Sequence, residues 1–324
     1  MVFIFGSCGS GNRLDVDVSD IKVKLEIKRF DQDLKNAFKK GENEVLKLQE
    51  AYPDFFELFN TSLISIGHST DSGYYGRLKE FIDYYLVKEA FAEVEKKFSS
   101  NSYINEKLSE AFKHYKYYYP DNNIPTIIAY ISGFNLSVAT TGDIIAISLE
   151  KYLGSDYELY KSMGLNNYSI PNMKKERIAP DCMQAFAYKV FPMEEKKGNL
   201  LEHIIYQGKI LYFVEAMMPN ESESLIMGYS EKQIQWCKEN EKNMWNYLLD
   251  YKQLFVSDMM TIKKYIGEGP FTINFSKQSP GKAGIWIGWQ IVRKYMESNP
   301  ETSFQELMKN NDYQSILNSS GYNP

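Results

Sequence analysis

Three histidines, His68, His114 and His203, are the imidazoles from which a catalytic zinc centre would have to be built. Such a centre takes about three protein ligands, commonly two histidines one helical turn apart with a glutamate base between them. None of the three has another histidine four residues away, and His-Glu-x-x-His is absent. A site made from them would need distant loops to converge. His203, on the first turn of an apolar helix, reads as a packing or surface residue. Nucleophilic chemistry fares no better. No serine lies in Gly-x-Ser-x-Gly, and Ser148-x-x-Lys151 lacks the Lys-Thr-Gly and Ser-Asp-Asn partners that give Ser-x-x-Lys its meaning. Gly208-Lys209 lacks the upstream glycine and the following hydroxyl of a phosphate loop. Paired carboxylates drawn from separate elements leave no signature in a sequence, and most of the 42 acidic residues must lie on the surface. The expectation is a body without catalytic, metal-ligating or cofactor-binding residues.

The cysteines carry a different chemistry. Cys8 follows Phe5-Gly6-Ser7, and small residues before a cysteine are what a lipoprotein signal needs, because the peptidase pocket admits little else. The apolar stretch Met1-Val2-Phe3-Ile4-Phe5 is short and lacks the basic start of a signal peptide, so the chain reads as beginning late within a truncated signal. Gly9-Ser10-Gly11-Asn12 then serves as a flexible tether. Two acyl chains at about 0.8 kcal/mol per buried methylene would hold firmly. Cys182 and Cys237 sit among apolar residues; either buried thiols or one bridge between them fits the spacing.

The net charge of -5 comes from 37 basic and 42 acidic side chains, and the lysines are scattered as isolated pairs. That argues against nucleic acid, whose binding rests on concentrated Lys and Arg. No run approaches the ~18 apolar residues of a membrane-spanning helix. Hydrophobic residues at 44% over 324 positions supply a large core, and 15% aromatics fill it.

The elements that would position side chains follow from periodicity. Ile21 to Lys28 alternates apolar and charged, which is a strand with one buried face. Leu34, Phe38, Val45, Leu46 and Leu48 fit helices interrupted near Gly41; 78–98 and 104–118 read as amphipathic helices. Short strands follow at Thr126–Ile131, Leu136–Ala139 and Ile144–Leu149, the last two joined through Gly142. From Asp181 the chain is helix after helix: Cys182–Val190, Leu200–Met217, a helix opened by the capping box Ser230-x-x-Gln233, 251–266, Ala283–Met296, and a short one capped by Ser303-x-x-Glu306. The predicted fold class is α+β, predominantly helical, with a small sheet followed by a helical half. Residues 1–20 hold the truncated signal, the lipidated cysteine and the tether; 21–324 form a single domain. Gly284 and Gly288 share a helical face on which another backbone can come close, while Trp286 and Trp289 pack in the core or offer a docking surface for a partner.

Several segments together resemble the gliding-motility lipoprotein GldB family: Ile204 to Tyr212, ending at Met218-Pro219; Gln235-Trp236-Cys237-Lys238-Glu239-Asn240-Glu241 with Trp245; Ser279-Pro280-Gly281; Gly288-Trp289-Gln290-Ile291-Val292 with Tyr295-Met296; and, upstream, Leu149 to Gly154 before Tyr160. The resemblance runs over nearly the whole chain. It implies a cell-envelope lipoprotein, membrane-anchored through acyl groups such as palmitate on Cys8. Its partners would be other proteins of the gliding machinery and the protein secretion system coupled to it. It also implies a body like a zinc-peptidase (gluzincin-like) scaffold without its metal site, in which Gln207-Gly208 stands where a ligand glutamate would, and the preceding helix offers Gln184 and Tyr188 in place of histidines. Two alternatives stay open: a zinc metallopeptidase-like enzyme with unusual ligands, and a solute-binding lipoprotein.

Overall fold

In the computed structural model, which describes residues 13–194 and 198–324, four short strands form one sheet. They are β1 (Ile27–Arg29), β2 (Thr126–Tyr130), β3 (Val138–Thr141) and β4 (Ile144–Ser148), in the spatial order β1-β2-β4-β3. β1, β2 and β4 run parallel, and β3 returns antiparallel along β4 through the Gly142 turn, where φ is +42°. The side-chain alternation of a strand explains the layers. Ile127, Ala129, Ile145 and Ile147 point into one core, whereas Ile128, Tyr130, Ile144 and Ala146 point into another. A sheet buried on both faces needs helices on both.

The smaller core is covered by the segment between β1 and β2. Its helices include α1 (Phe30–Lys40), two short ones at Glu42–Leu46 and Leu48–Ala51, α2 (Pro53–Leu58), which passes into a π-helical turn at Phe59–Leu63, and α3 (Tyr74–Asp83). Phe30, wholly buried, has the rings of Tyr52, Phe55 and Phe59 edge-on to it at 4.8–5.0 Å. Then α4 (Tyr85–Lys97) and α5 (Ser102–Tyr118) cross to the other face. The larger core is completed by α6 (Ile178–Val190), α7 (Leu200–Met217), α8 (Glu231–Asp250), α9 (Met259–Ile266), α10 (Ala283–Ser298), α11 (Phe304–Lys309) and α12 (Tyr313–Ser320).

The helices expected on either side of the strands at 126–149 are both present, and together they cover both sheet faces. Sequence and structure part company at several other elements. Of the alternating segment 21–28, only the end of the run pairs, as β1; Ile21, Val23 and Leu25 are half-buried, and among the described residues no strand pairs with them. The expected helix 78–98 breaks at Tyr84, whose ψ of 131° is extended. The expected helix 251–266 starts only at Met259, because Lys252 turns left-handed (φ +52°) and Asp258 caps a new start by accepting from the Thr261 N–H at 2.8 Å. α6 begins four residues early, with Pro180 in its first turn, where its missing N–H is not needed. Leu14 and Val18 are buried against the body, so within the predicted tether region these two are already packed. Both capping boxes and the span Leu200–Met217 are as predicted.

Where β2 and β4 end, the chain buries a carboxylate. Glu150 is fully buried, and its Oε1 accepts from the Ser132 N–H (2.6 Å), the Ser132 hydroxyl (2.9 Å) and the Phe134 N–H (3.0 Å). Gly133 and Phe134, both at φ +71°, turn the loop so that these donors converge. Burial pushes the Glu150 carboxyl above the ordinary carboxylate range, while the N–H groups pull it down.

Candidate functional site

The side chains that the resemblance places at a lost metal centre do meet. Gln184 and Tyr188 stand one turn apart on α6, and Gln207 faces them from α7, the helix packed beside it. The Gln184 amide donates to the Tyr188 hydroxyl at 3.3 Å, and that hydroxyl donates to Gln207 Oε1. Burial raises the Tyr188 phenol above its ordinary value, so it stays a neutral donor at physiological pH. Tyr206 lies 6.1 Å away, ring to ring. Zinc prefers imidazole, thiolate and carboxylate donors. Two amides and a protonated phenol, with the phenol oxygen and Gln207 Oε1 already bonded to each other, do not fit that ion.

The histidines do not help. His68 is exposed, with Nδ1 3.1 Å from Glu57 Oε2; His114 is buried on α5 with Nδ1 3.0 Å from its own helix's Glu110 carbonyl; His203 lies one turn before Gln207 on α7, its pKa lowered by burial. Among the described residues no group of three or more His, Cys, Asp or Glu side chains could hold a metal ion. Cys182 and Cys237 are both free and buried, which decides the alternatives their spacing left open in favour of thiols. Burial raises both well above a free thiol, so neither is a ready nucleophile. Cys8 lies outside the described residues.

Trp286 and Trp289 require a correction. Both are essentially inaccessible, at 1% and 0% exposure, so neither indole is a docking surface. The physical reason is the crossing of α7 and α10. A methyl added at Gly288 would lie 1.7 Å from the Ile204 carbonyl oxygen, and one at Gly208 would lie 2.2 Å from that of Gly288. The two backbones touch, and this draws the indoles inward. Each buried N–H then finds a carboxylate: Trp286 donates to Glu241 at 2.9 Å and Trp289 to Glu215 at 2.8 Å. Glu215 also takes Arg293 through Nε (3.0 Å) and Nη2 (2.7 Å), and the guanidinium lies 3.9 Å over the Trp289 ring. Sequence reading missed this network; its one trace is Arg293 four residues after Trp289 on the same helix face. Glu215, Glu241 and Arg293 border a cleft of about 1010 Å³ beside Arg13 and Tyr322.

The segments that carry the resemblance are therefore tied together in space, with 235–241 joined to α10 through Trp286 and Glu241. A family model described as gliding motility protein GldB matches residues 11–324. The chain belongs to the GldB family. No curated protein and no solved structure matches it. Membership supports a role in gliding motility, with envelope association and contacts to the motility machinery. Among the described residues of this GldB chain, no helix is long and apolar enough to cross a membrane.

Proposed function

We propose that this chain is a non-catalytic lipoprotein component of the gliding and secretion apparatus, held at an envelope membrane by acyl groups on Cys8 and working through protein contacts. Its body would be a zinc-peptidase scaffold whose metal site has become a hydrogen-bonded strut. The observation that carries this reading is the Gln184–Tyr188–Gln207 chain. On this reading it stands where two ligands of one helix and a third from the next would be, and its hydrogen bonds join α6 to α7.

The scaffold reading is tested by rebuilding the ligands: Gln184→His, Ala185→Glu, Tyr188→His and Gln207→Glu together. The rebuilt protein should purify with one zinc, and the wild type with none. Stoichiometric zinc in the wild type, lost on His203→Ala, would instead favour the metallopeptidase alternative. The anchor is tested separately. Labelled fatty acid fed to the native organism should mark the protein, and Cys8→Ala should release it from the membrane fraction. An unlabelled, freely soluble wild type would defeat the anchor.

A further inference from the structure

The surface between the end of α8 and the start of α10 carries an unusual set of exposed apolar side chains. Tyr251 is 64% exposed, Phe255 62% and Met260 78%, with Leu249, Met259, Phe271 and Ile273 also open to solvent. Ring contacts tie the two stretches to one centre. Tyr247 lies tilted against Tyr251 at 4.5 Å and meets Phe275 at 5.8 Å, and Phe275 meets Tyr265 of α9 at 5.5 Å.

These side chains are presented by fixed backbone. Thr272 is fully buried between Phe271 and Ile273. Its N–H reaches Ser279 Oγ at 2.9 Å, its hydroxyl donates to the Pro280 carbonyl at 2.9 Å, and that hydroxyl accepts from the Ala283 N–H at 2.9 Å. With Thr272 pinned inward, its two neighbours are turned outward. Met259 and Met260 are likewise held at a helix start by the Asp258 cap.

The charges around the patch oppose the charge of the whole. Residues 249–280 contain four lysines (Lys252, Lys263, Lys264, Lys277) and three carboxylates (Asp250, Asp258, Glu268), a local balance of +1 in a chain of -5. All four lysines are exposed, and none forms an ion pair among the described residues; Glu268 is taken by Lys282 at 2.6 Å. The stretch contains no arginine and no tryptophan. Protein-binding surfaces are enriched in arginine and depleted in lysine. Exposed aromatic and methionine side chains in one stretch with exposed lysines that form no ion pair suit a bilayer interface, where rings sit at headgroup level and lysines reach anionic lipid.

We propose that this patch is a membrane-contact surface that docks the body on an anionic bilayer, independently of any lipid on Cys8. The full chain carrying Cys8→Ala is mixed with vesicles of phosphatidylcholine alone or phosphatidylcholine with phosphatidylglycerol and centrifuged. It should sediment with the anionic vesicles, remain in solution with the neutral ones, and be released by high salt. Lys263→Glu with Lys264→Glu should weaken binding at least ~10-fold, at about 1 kcal/mol per basic residue near the surface. Phe255→Ser with Met260→Ser should abolish it, and since both positions are exposed the thermal melt should not move. Failure of the parent chain to sediment with anionic vesicles would overturn the proposal and leave the patch to a protein partner. So would variants that bind as well as the parent. Because acylation is absent throughout, these outcomes are independent of the anchor test.

Discussion

The α7–α10 crossing and the aromatic cluster around Phe30 are both fully buried, yet they are assembled by opposite means. At the crossing, Gly208 and Gly288 bring two backbones into contact, and nothing there can rotate aside. Around Phe30, rings meet edge to face at 4.8–5.0 Å, and each ring retains the freedom of its own χ angles. A packed core therefore has two kinds of vulnerability. One is to any added atom, the other to a removed one.

The largest effect should come from Gly288→Ala. Its Cβ would lie 1.7 Å from the Ile204 carbonyl oxygen, so the helices must separate or fail to pair. A loss beyond ~5 kcal/mol, a large share of a domain's total stability, should leave little soluble protein on expression. A normally folded Gly288→Ala would show that the crossing can slide and would erase the contrast. Next comes Phe30→Ala, expected to cost ~3–5 kcal/mol in urea denaturation through the lost ring and the cavity it leaves, while the protein still folds. A loss under ~1 kcal/mol would mean that the neighbouring rings collapse into the gap.

Charge buried near each region sharpens the comparison. Lys209, adjacent to Gly208 on α7, is 2% exposed, donates from Nζ to the Asn310 carbonyl at 2.6 Å, and lies 5.5 Å from the Tyr313 ring centre. Burial brings its pKa down to about 8 from 10.5. The unfolded chain thus binds the extra proton between those values, so stability should rise with pH in that window, by on the order of 2 kcal/mol from pH 8 to 10. Chemical denaturation at both pH values measures it; the same rise in Lys209→Met would assign it to another group. On the sheet side, Glu150→Gln keeps an oxygen that accepts three bonds and replaces with an amide nitrogen the other oxygen, which has no hydrogen-bond partner among the described residues. It should change stability by less than about 1 kcal/mol at pH 5. The raised pKa of Glu150 makes the wild type lose stability as pH climbs from the unfolded carboxylate value through the folded one. The variant should lack that decline, and a parallel decline would place the titration elsewhere.

Much of the helical half was legible beforehand, for a local reason. Ser230 with Gln233 and Ser303 with Glu306 act over four residues, and the apolar run Leu200–Met217 is contiguous and bounded by Pro219, so sequence states them directly. The glycine pair in α10 likewise announced a close approach, though not which backbone would come. The Asp258 cap is also a local signal, but Lys252 and Gln253 continue a helical composition across the break and mask it.

Amino-acid order by itself determined the short-range features of this protein: its caps and breaks, the alternation within its strands, the absence of His-Glu-x-x-His, and the family motifs. Tertiary structure alone decided which surfaces those features would lose to solvent. It put a sheet between two cores, turned Trp286 and Trp289 inward onto carboxylates from other helices, joined Gln184, Tyr188 and Gln207, and left Tyr251, Phe255 and Met260 outside. Burial is a property of pairs of elements far apart in sequence, and the same apolar side chain serves as core or contact surface according to what packs over it.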